Sequence, residues 1–344
     1  MRKKQVTIVD VAQEAGVSYA TVSNVLNRRD VPLAEETIRR VEEAARRLGY
    51  RRNAAAASLS RQRSNELGLL LPGFGEYFGR FAEAMERTAY AHGYHLSVFS
   101  SSHHPELEQR HLEMMLQRRV DGLFCHGLAL SPETTRLIVG DGTPIVLFNA
   151  WDWPPDIAIG VVNPDFRGAC RGAVRHLYDR GCRSFAFAGG LYARATGVQR
   201  RLGFADGIAS LPETVASAVL ELDNVAHAEW PACIMAACAG GEPLGFVAFD
   251  DTIASRAMWR LQEQGIAVPE RVKIVGVNND SFAAHCHPGL TSIAISHERH
   301  AELAIGMMVA HLEGRTAAEA GTLDAAPSGE RTMPLELIVR GSSA

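Results

Sequence analysis

Residues 7–27 read TIVDVAQEAGVSYATVSNVLN, and the chain's opening fold turns on this stretch. Thr7 followed by Asp10 has the spacing of a capping box, in which each side chain satisfies an orphan amide of a helix start. Val11, Ala12 and Ala15 then recur at helical spacing and are expected to face inward. Gly16-Val17 supplies a tight turn, and Ser18 caps a second helix running from Tyr19 to about Asn27. Val22, Val25 and Leu26 share one face of that helix, while Tyr19, Ala20, Ser23, Asn24 and Asn27 share the other. A merely solvated helix face usually carries Lys and Glu. This one presents short, uncharged hydrogen-bonding groups of the kind that fit base edges in a major groove. A third helix, Glu35 to Leu48, offers Val41, Ala44, Ala45 and Leu48 as its buried stripe. Two short helices about a Gly turn, propped by a third, make an all-α helix-turn-helix unit.

Charge divides the chain in the same place. Residues 1–65 hold 13 Lys/Arg against 7 Asp/Glu, a net +6, whereas the whole 344-residue chain is at −4. A basic head on an acidic body implies that only the head meets a polyanion. Apolar runs are strand-length, so no membrane partner is expected. The basic start at Arg2-Lys3-Lys4 has no apolar core behind it, which points to a cytoplasmic protein. The six cysteines form no CxxC pair, so neither a disulfide framework nor a zinc site is signalled, and no metal or cofactor is expected. His103-His104 and the His285/His287 pair read as surface histidines.

From Leu67 onward short apolar runs alternate with amphipathic helices. Leu67–Leu71, Leu96–Phe99, Gly122–Cys125, Ile145–Phe148, Phe185–Ala188, Phe246–Phe249 and Ile274–Val277 read as strands, with helices such as Phe81–Ala91 and Glu108–Gln117 between them. Such alternation implies doubly wound parallel sheets. The number of repeats exceeds one sheet, so two similar lobes and a cleft between them are expected, with ligand at the C-terminal ends of the strands.

The string VTIVDVAQEAGVSYATVSNVLN, followed by RRVEEAARRLGYRRN, closely resembles the headpiece of the LacI/GalR (lactose-repressor/galactose-repressor) family. QRRVDGLFCHG, TGVQRRLGF, AFDDTIASRAM, LTSI and LELIVRGSS continue the resemblance over nearly the whole chain. It implies a helix-turn-helix headpiece at 1–52, a hinge at 53–64 and a two-lobed α/β periplasmic-binding-protein-like body at 65–344 that binds an effector and dimerises. The lobes would comprise about 65–162 with 293–324, and about 163–292 with 325–341. The implied function is a transcriptional repressor, not an enzyme. It would bind pseudo-palindromic operator DNA as a homodimer, with a tetramer left open, and be released by a small molecule.

The resemblance places Tyr19, Ala20 and Asn24 where bases are read, and Thr21, Ser23 and Asn27 at phosphate-facing or turn-fixing positions. Thr7, Ser18, Thr37 and Asn53 join the DNA-contacting set. Leu59 and Ala56 match a hinge helix that wedges a leucine into the minor groove. By itself the segment Asn53–Leu59 is Ala-rich but too short to hold a helix alone. Two positions depart from the family: Asn24 stands where Arg is usual, shifting the expected preference from guanine to adenine. Ala34 replaces a usual Ser cap.

Candidate effector residues follow the strand ends. Tyr77 and Phe78 come just after the first strand and could stack on a sugar or base face, or simply seed the next helix. Arg194, Thr196 and Arg200 follow the Phe185 strand, and a guanidinium fork can hold a carboxylate, phosphate or hydroxyl pair. Family resemblance assigns Arg200 and Asp250 to the effector, and Asp251 to structure. Trp151 could stack or pack in the core. Asn278 and Asn163 stand where carboxylates would be usual, which favours a neutral sugar or a sugar acid over a cation. Rival readings fail on detail. Gly73, Gly75 and Gly79 miss the dinucleotide-binding spacing, and no nucleophile elbow or metal set accompanies Asp250-Asp251. A free sugar-binding protein would not need the basic head.

Overall fold

The computed structural model describes residues 6–26, 31–50, 63–127, 131–140, 142–151, 153–154, 156–189, 195–222, 226–315 and 330–344. The chain divides into two compact units, Met1–Ser64 and Asn65–Ala344.

The first unit contains helices α1 (Ile8–Ala15), α2 (Tyr19–Leu26) and α3 (Glu35–Leu48). The capping box at Thr7 and Asp10 is formed, and Gly16 ends α1 in the left-handed conformation, φ 62°, which glycine adopts without a Cβ penalty. Ser18 Oγ accepts from the Thr21 amide at 3.1 Å and so starts α2. Arg40 of α3 donates to the Ala15 carbonyl at 2.6 Å, fastening the turn to the supporting helix. Val11, Ala12, Ala15, Val22, Val41, Ala44 and Ala45 form the core, with Val25, Leu26 and Leu48 packed against it. Ala34 precedes α3 in extended conformation with no side-chain cap.

The second unit is built from two six-stranded sheets. Along the chain come β1 (Glu66–Leu71), α4 (Glu76–Ala91), β2 (His95–Ser100), α5 (Pro105–Gln117), β3 (Gly122–His126), α6 (Pro132–Val139), β4 (Ile145–Phe148) and β5 (Gly160–Pro164). Then follow α7 (Phe166–Asp179), β6 (Ser184–Gly189), α8 (Ala195–Ala209), β7 (Ala216–Glu221), α9 (Trp230–Ala236), β8 (Leu244–Ala248), α10 (Asp251–Glu263), β9 (Val272–Asn278) and β10 (Thr291–Ala294). Helix α11 (His297–Leu312), β11 (Glu330–Met333) and β12 (Glu336–Ile338) complete the series. The first sheet runs β11-β5-β4-β3-β1-β2 and the second β12-β10-β9-β8-β6-β7. All pairings are parallel except β10 with β12. Each sheet is covered on both faces, as parallel sheets require, so β1, β3, β4, β6, β8 and β9 are buried almost end to end.

The chain crosses between lobes three times, after β5, after β10 and after β11. The segment 325–341, expected wholly in the second lobe, is divided by the last crossing: β11 pairs with β5 in the first sheet and β12 with β10 in the second. Residues 293–294 belong to β10 and hence to the second sheet, whereas α11 packs its buried Ala301, Ala304 and Met308 into the first lobe's core. Crossing strands β5 and β11 are joined beyond their ladder by the Asp165 amide donating to the Met333 carbonyl at 2.8 Å.

Candidate functional site

On the first unit, Tyr19 is 58% exposed and Ala20 is exposed, while Thr21, Ser23, Asn24 and Thr37 are half-buried. The face of α2 opposite Val22 is therefore open and uncharged. The hydroxyls of Thr7 and Ser18 are occupied as caps: Thr7 Oγ1 donates to Asp10 Oδ2 at 2.7 Å, and Ser18 Oγ lies 2.9 Å from Thr21 Oγ1. Asn27, Asn53, Ala56 and Leu59 lie outside the described residues, as does Arg194.

In the second unit both sheets reverse strand order beside their first strand, and the loops leaving those points face each other across a cleft of about 490 Å³. Gly73, Glu76, Tyr77, Phe78, His103, His126 and Asn149 line it from the first lobe. Phe166, Thr196, Arg200, Phe249, Asp250, Asn278, Asp280 and Phe282 line it from the second. Thr196 and Arg200 stand one turn apart on α8 and so share a face.

Arg200 is 5% exposed. Its guanidinium carbon lies 4.2 Å from the Phe166 ring and 4.3 Å from the Phe249 ring. Nη1 donates to the Phe249 carbonyl at 2.6 Å, while the buried Nε has no hydrogen-bond partner. Burial lowers its pKa. Asp250 Oδ1 accepts from the Ile253 amide at 2.8 Å, capping α10. Asn278 closes β9 with φ 113°, a positive-φ conformation costly for most side chains.

Two expected residues serve elsewhere. Trp151 does not line the cleft: its ring packs 5.9 Å from Phe166, within the adjoining hydrophobic cluster. Asn163 also lies off the cleft, because β5 is two strands removed from the reversal. Its Oδ1 accepts from the Ala150 amide at 2.9 Å and its Nδ2 donates to Glu330 at 2.7 Å, tying β4, β5 and β11 together. His103, read as a surface residue, is exposed but stands in the cleft lining.

Several lining residues carried no signal in the sequence reading. Asn149, directly after β4, is 3% exposed with its Oδ1 unpartnered, and its Nδ2 lies 2.5 Å from His126 Nε2. Burial holds His126 down at about 3, so the ring is neutral and can accept there. Burial pushes the Tyr77 phenol up to about 12. The lobes also bond to each other directly. Glu76 accepts from the Ser281 amide at 2.6 Å, which holds its carboxylate below the usual range, and Arg80 donates to the Asn279 carbonyl at 3.1 Å. Behind that loop, Asp251 accepts from Ser292 Oγ at 2.6 Å and from the Asp280 amide at 2.8 Å. Burial raises Asp251 to about 7, and burial with the nearby Glu76 and Asp250 raises Asp280 to about 6.

A helix-turn-helix unit on the same chain as a two-lobed cleft defines a DNA-binding transcriptional regulator. Residues 7–53 match the bacterial regulatory proteins of the lacI family, and residues 174–343 match the periplasmic binding protein-like domain. Catabolite control protein A of Staphylococcus epidermidis is 30% identical over 295 residues, covering 84% of this chain and 87% of the relative. That of Staphylococcus xylosus is 29% identical over 289 residues, again covering 84% of this chain and 87% of the relative. The solved lac repressor dimer bound to operator and an anti-inducer superposes with a TM-score of 0.81 at 21% identity, covering 99% of both chains. The chain belongs to the lacI family of bacterial regulatory proteins. Among the described residues, no helix is long and apolar enough to cross a membrane.

Proposed function

We propose that the protein represses transcription from the cytoplasm as a dimer, each headpiece reading half of a pseudo-palindromic operator, and that a hydroxylated small molecule in the cleft releases it. Tyr19, Ala20 and Asn24 meet base edges, with Thr21, Ser23, Asn27 and Thr37 against the backbone. The first-turn amides behind Thr7 and Ser18 face phosphate. Asn53, Ala56 and Leu59 would serve the hinge and its minor-groove wedge.

The observation that carries the effector half is Arg200, buried between two rings in an interlobe cleft with Nε unpartnered. A buried donor without a partner costs about 1–3 kcal/mol, which a ligand hydroxyl or ring oxygen would recover. Thr196, Asn278, Asp250 and Asn149 add further polar groups, and Tyr77 and Phe78 an apolar wall. Arg194 joins them on its place in the chain alone, immediately ahead of α8. The solved relative CelR holds cellobiose, and the lac repressor structure holds an anti-inducer, in keeping with a sugar-type effector.

The test is to select an operator from a random duplex pool and follow its affinity by fluorescence anisotropy while sugars are added. A release of about 5- to 150-fold is expected. Arg200→Ala should bind the operator and ignore the sugar. A variant that responds like the parent removes Arg200 from the site, and a pool without enrichment overturns operator reading.

A further inference from the structure

We propose that the effector carries a protonated amine on a hydroxylated frame, as an amino sugar or aminopolyol does. This deepens the reading of the cleft as the effector site and rests on it. Among its described lining residues, Glu76, Asp250 and Asp280 bear carboxylates and Arg200 alone bears a fixed cation. Arg200 is already engaged, with one nitrogen on the Phe249 carbonyl at 2.6 Å and aromatic rings over its plane.

Two of the three carboxylates are held in place by backbone donors. Glu76 of the first lobe accepts from the Ser281 amide at 2.6 Å, which sets it beside the Asp280 loop of the second. Asp250 is fixed by the Ile253 amide at 2.8 Å. Glu76 and Asp250 both disfavour ionisation of Asp280, so the three groups feel one another across the opening. Arg80, bonded to the Asn279 carbonyl at 3.1 Å, offsets part of this charge from outside the lining. A second observation is independent of the acids. Asn149 Oδ1 is buried in the cleft with no hydrogen-bond partner, and it can only accept.

Carboxylates therefore outnumber fixed cations among the described lining residues. A sugar acid would add a fourth negative charge to three. A neutral sugar would leave three carboxylates offset only by Arg200 and Arg80. An ammonium placed among them gains charge-assisted hydrogen bonds in a partly dehydrated site, where such bonds are at their strongest. Its hydroxyls remain for Arg200 Nε and Asn149 Oδ1.

The experiment is calorimetric titration of the full chain at pH 7 with D-glucosamine, D-galactosamine and D-mannosamine. Each is paired with its parent hexose and its N-acetyl derivative, which keep the frame and lose the charge. D-gluconate and D-glucuronate complete the panel. One amine should bind about tenfold more tightly than both of its uncharged partners. That ratio should collapse towards one in Asp280→Asn and in Glu76→Gln. Urea unfolding of the body reports that each variant chain is intact. An uncharged hexose or an acid that binds as tightly as the best amine overturns the proposal, and so does an amine preference that survives both substitutions. A neutral sugar that binds and releases operator would overturn the amine while leaving the proposed function standing. A panel with no ligand at all overturns the amine, and the Arg200→Ala comparison then decides the cleft separately.

Discussion

Replacing Gly203 by alanine drives two helices of the second lobe apart. A Cβ at that position would lie 2.3 Å from the Arg167 carbonyl oxygen and 2.9 Å from its carbon and Cα, all backbone atoms of α7. Ordinary contact begins near 3.4 Å, so α7 and α8 must separate by about 1 Å. Overpacking of this kind costs about 1–3 kcal/mol. Alanine returns about 1 kcal/mol through helix propensity. The balance is a loss of up to about 2 kcal/mol in the body. Gly172, in α7 with no atom within 4 Å of its added Cβ, is the matched control, and there alanine should stabilise by about 1 kcal/mol. The displaced helices also carry Phe166 and Arg200, so Gly203→Ala should weaken effector response while operator affinity holds. Urea unfolding of the body, followed at constant m-value, reads both changes. The close-approach argument is refuted if Gly203→Ala matches or exceeds the parent, or if the two alanines move the midpoint in the same direction.

Three further outcomes are expected. Asn24→Arg should move the base preference at one operator position towards guanine by about 1–3 kcal/mol of discrimination; an unchanged selection profile would remove position 24 from the readout. Ala34→Ser should supply the missing cap of α3, whose preceding residue is already extended (φ −62°, ψ 135°), and stabilise the headpiece by about 1 kcal/mol. Slower hydrogen exchange of the α3 amides is the readout, and unchanged exchange contradicts it. Asp251, raised to about 7 by burial, binds its proton more tightly folded than unfolded. Its contribution is therefore most favourable below its unfolded pKa, near 4, and is lost as pH rises through 7. Asp251→Asn should gain on the parent as pH climbs from 4 to 8, and a stability difference that stays flat over that window argues against the shift.

The parts legible in the sequence are those whose cause is local. Thr7, Ser18 and Ala34 announce their capping behaviour through residue type alone, and the body strands announce themselves as apolar runs. Thr196 and Arg200 stand out because they follow a strand, and the family resemblance singles out Arg200. The rest of the cleft is assembled by topology. Asn149, His126 and Glu76 come from three separate strand ends, and only the order β4-β3-β1 sets those ends side by side. The same order explains Asn163, a polar residue at a strand end like the others, but on β5, where the neighbours are β4 and β11. The expectation of a neutral sugar or a sugar acid, read from Asn163 and Asn278, takes no account of Glu76 and Asp280, because neither residue type stands out from its sequence surroundings. Asp280 lies only two residues past Asn278. What brings it to the cleft is a loop with positive φ at both Asn278 and Asn279, a feature a residue type can permit but not declare.

The three crossings between the lobes bear on how the protein is made. The first sheet takes its outer strand, β11, from residues 330–333, and the second takes β12 from residues 336–338. A ribosome therefore releases almost the entire body before either sheet can be closed on that side. The headpiece, finished by residue 64, has no such wait. Domains fold as units during synthesis, so a nascent chain of this protein holds a completed DNA-reading module well before it holds a completed sensor. Messages truncated ahead of the β11 codons should yield polypeptides with two unfinished sheets, open at the edges where strands pair, and such products are natural substrates for chaperones and proteases.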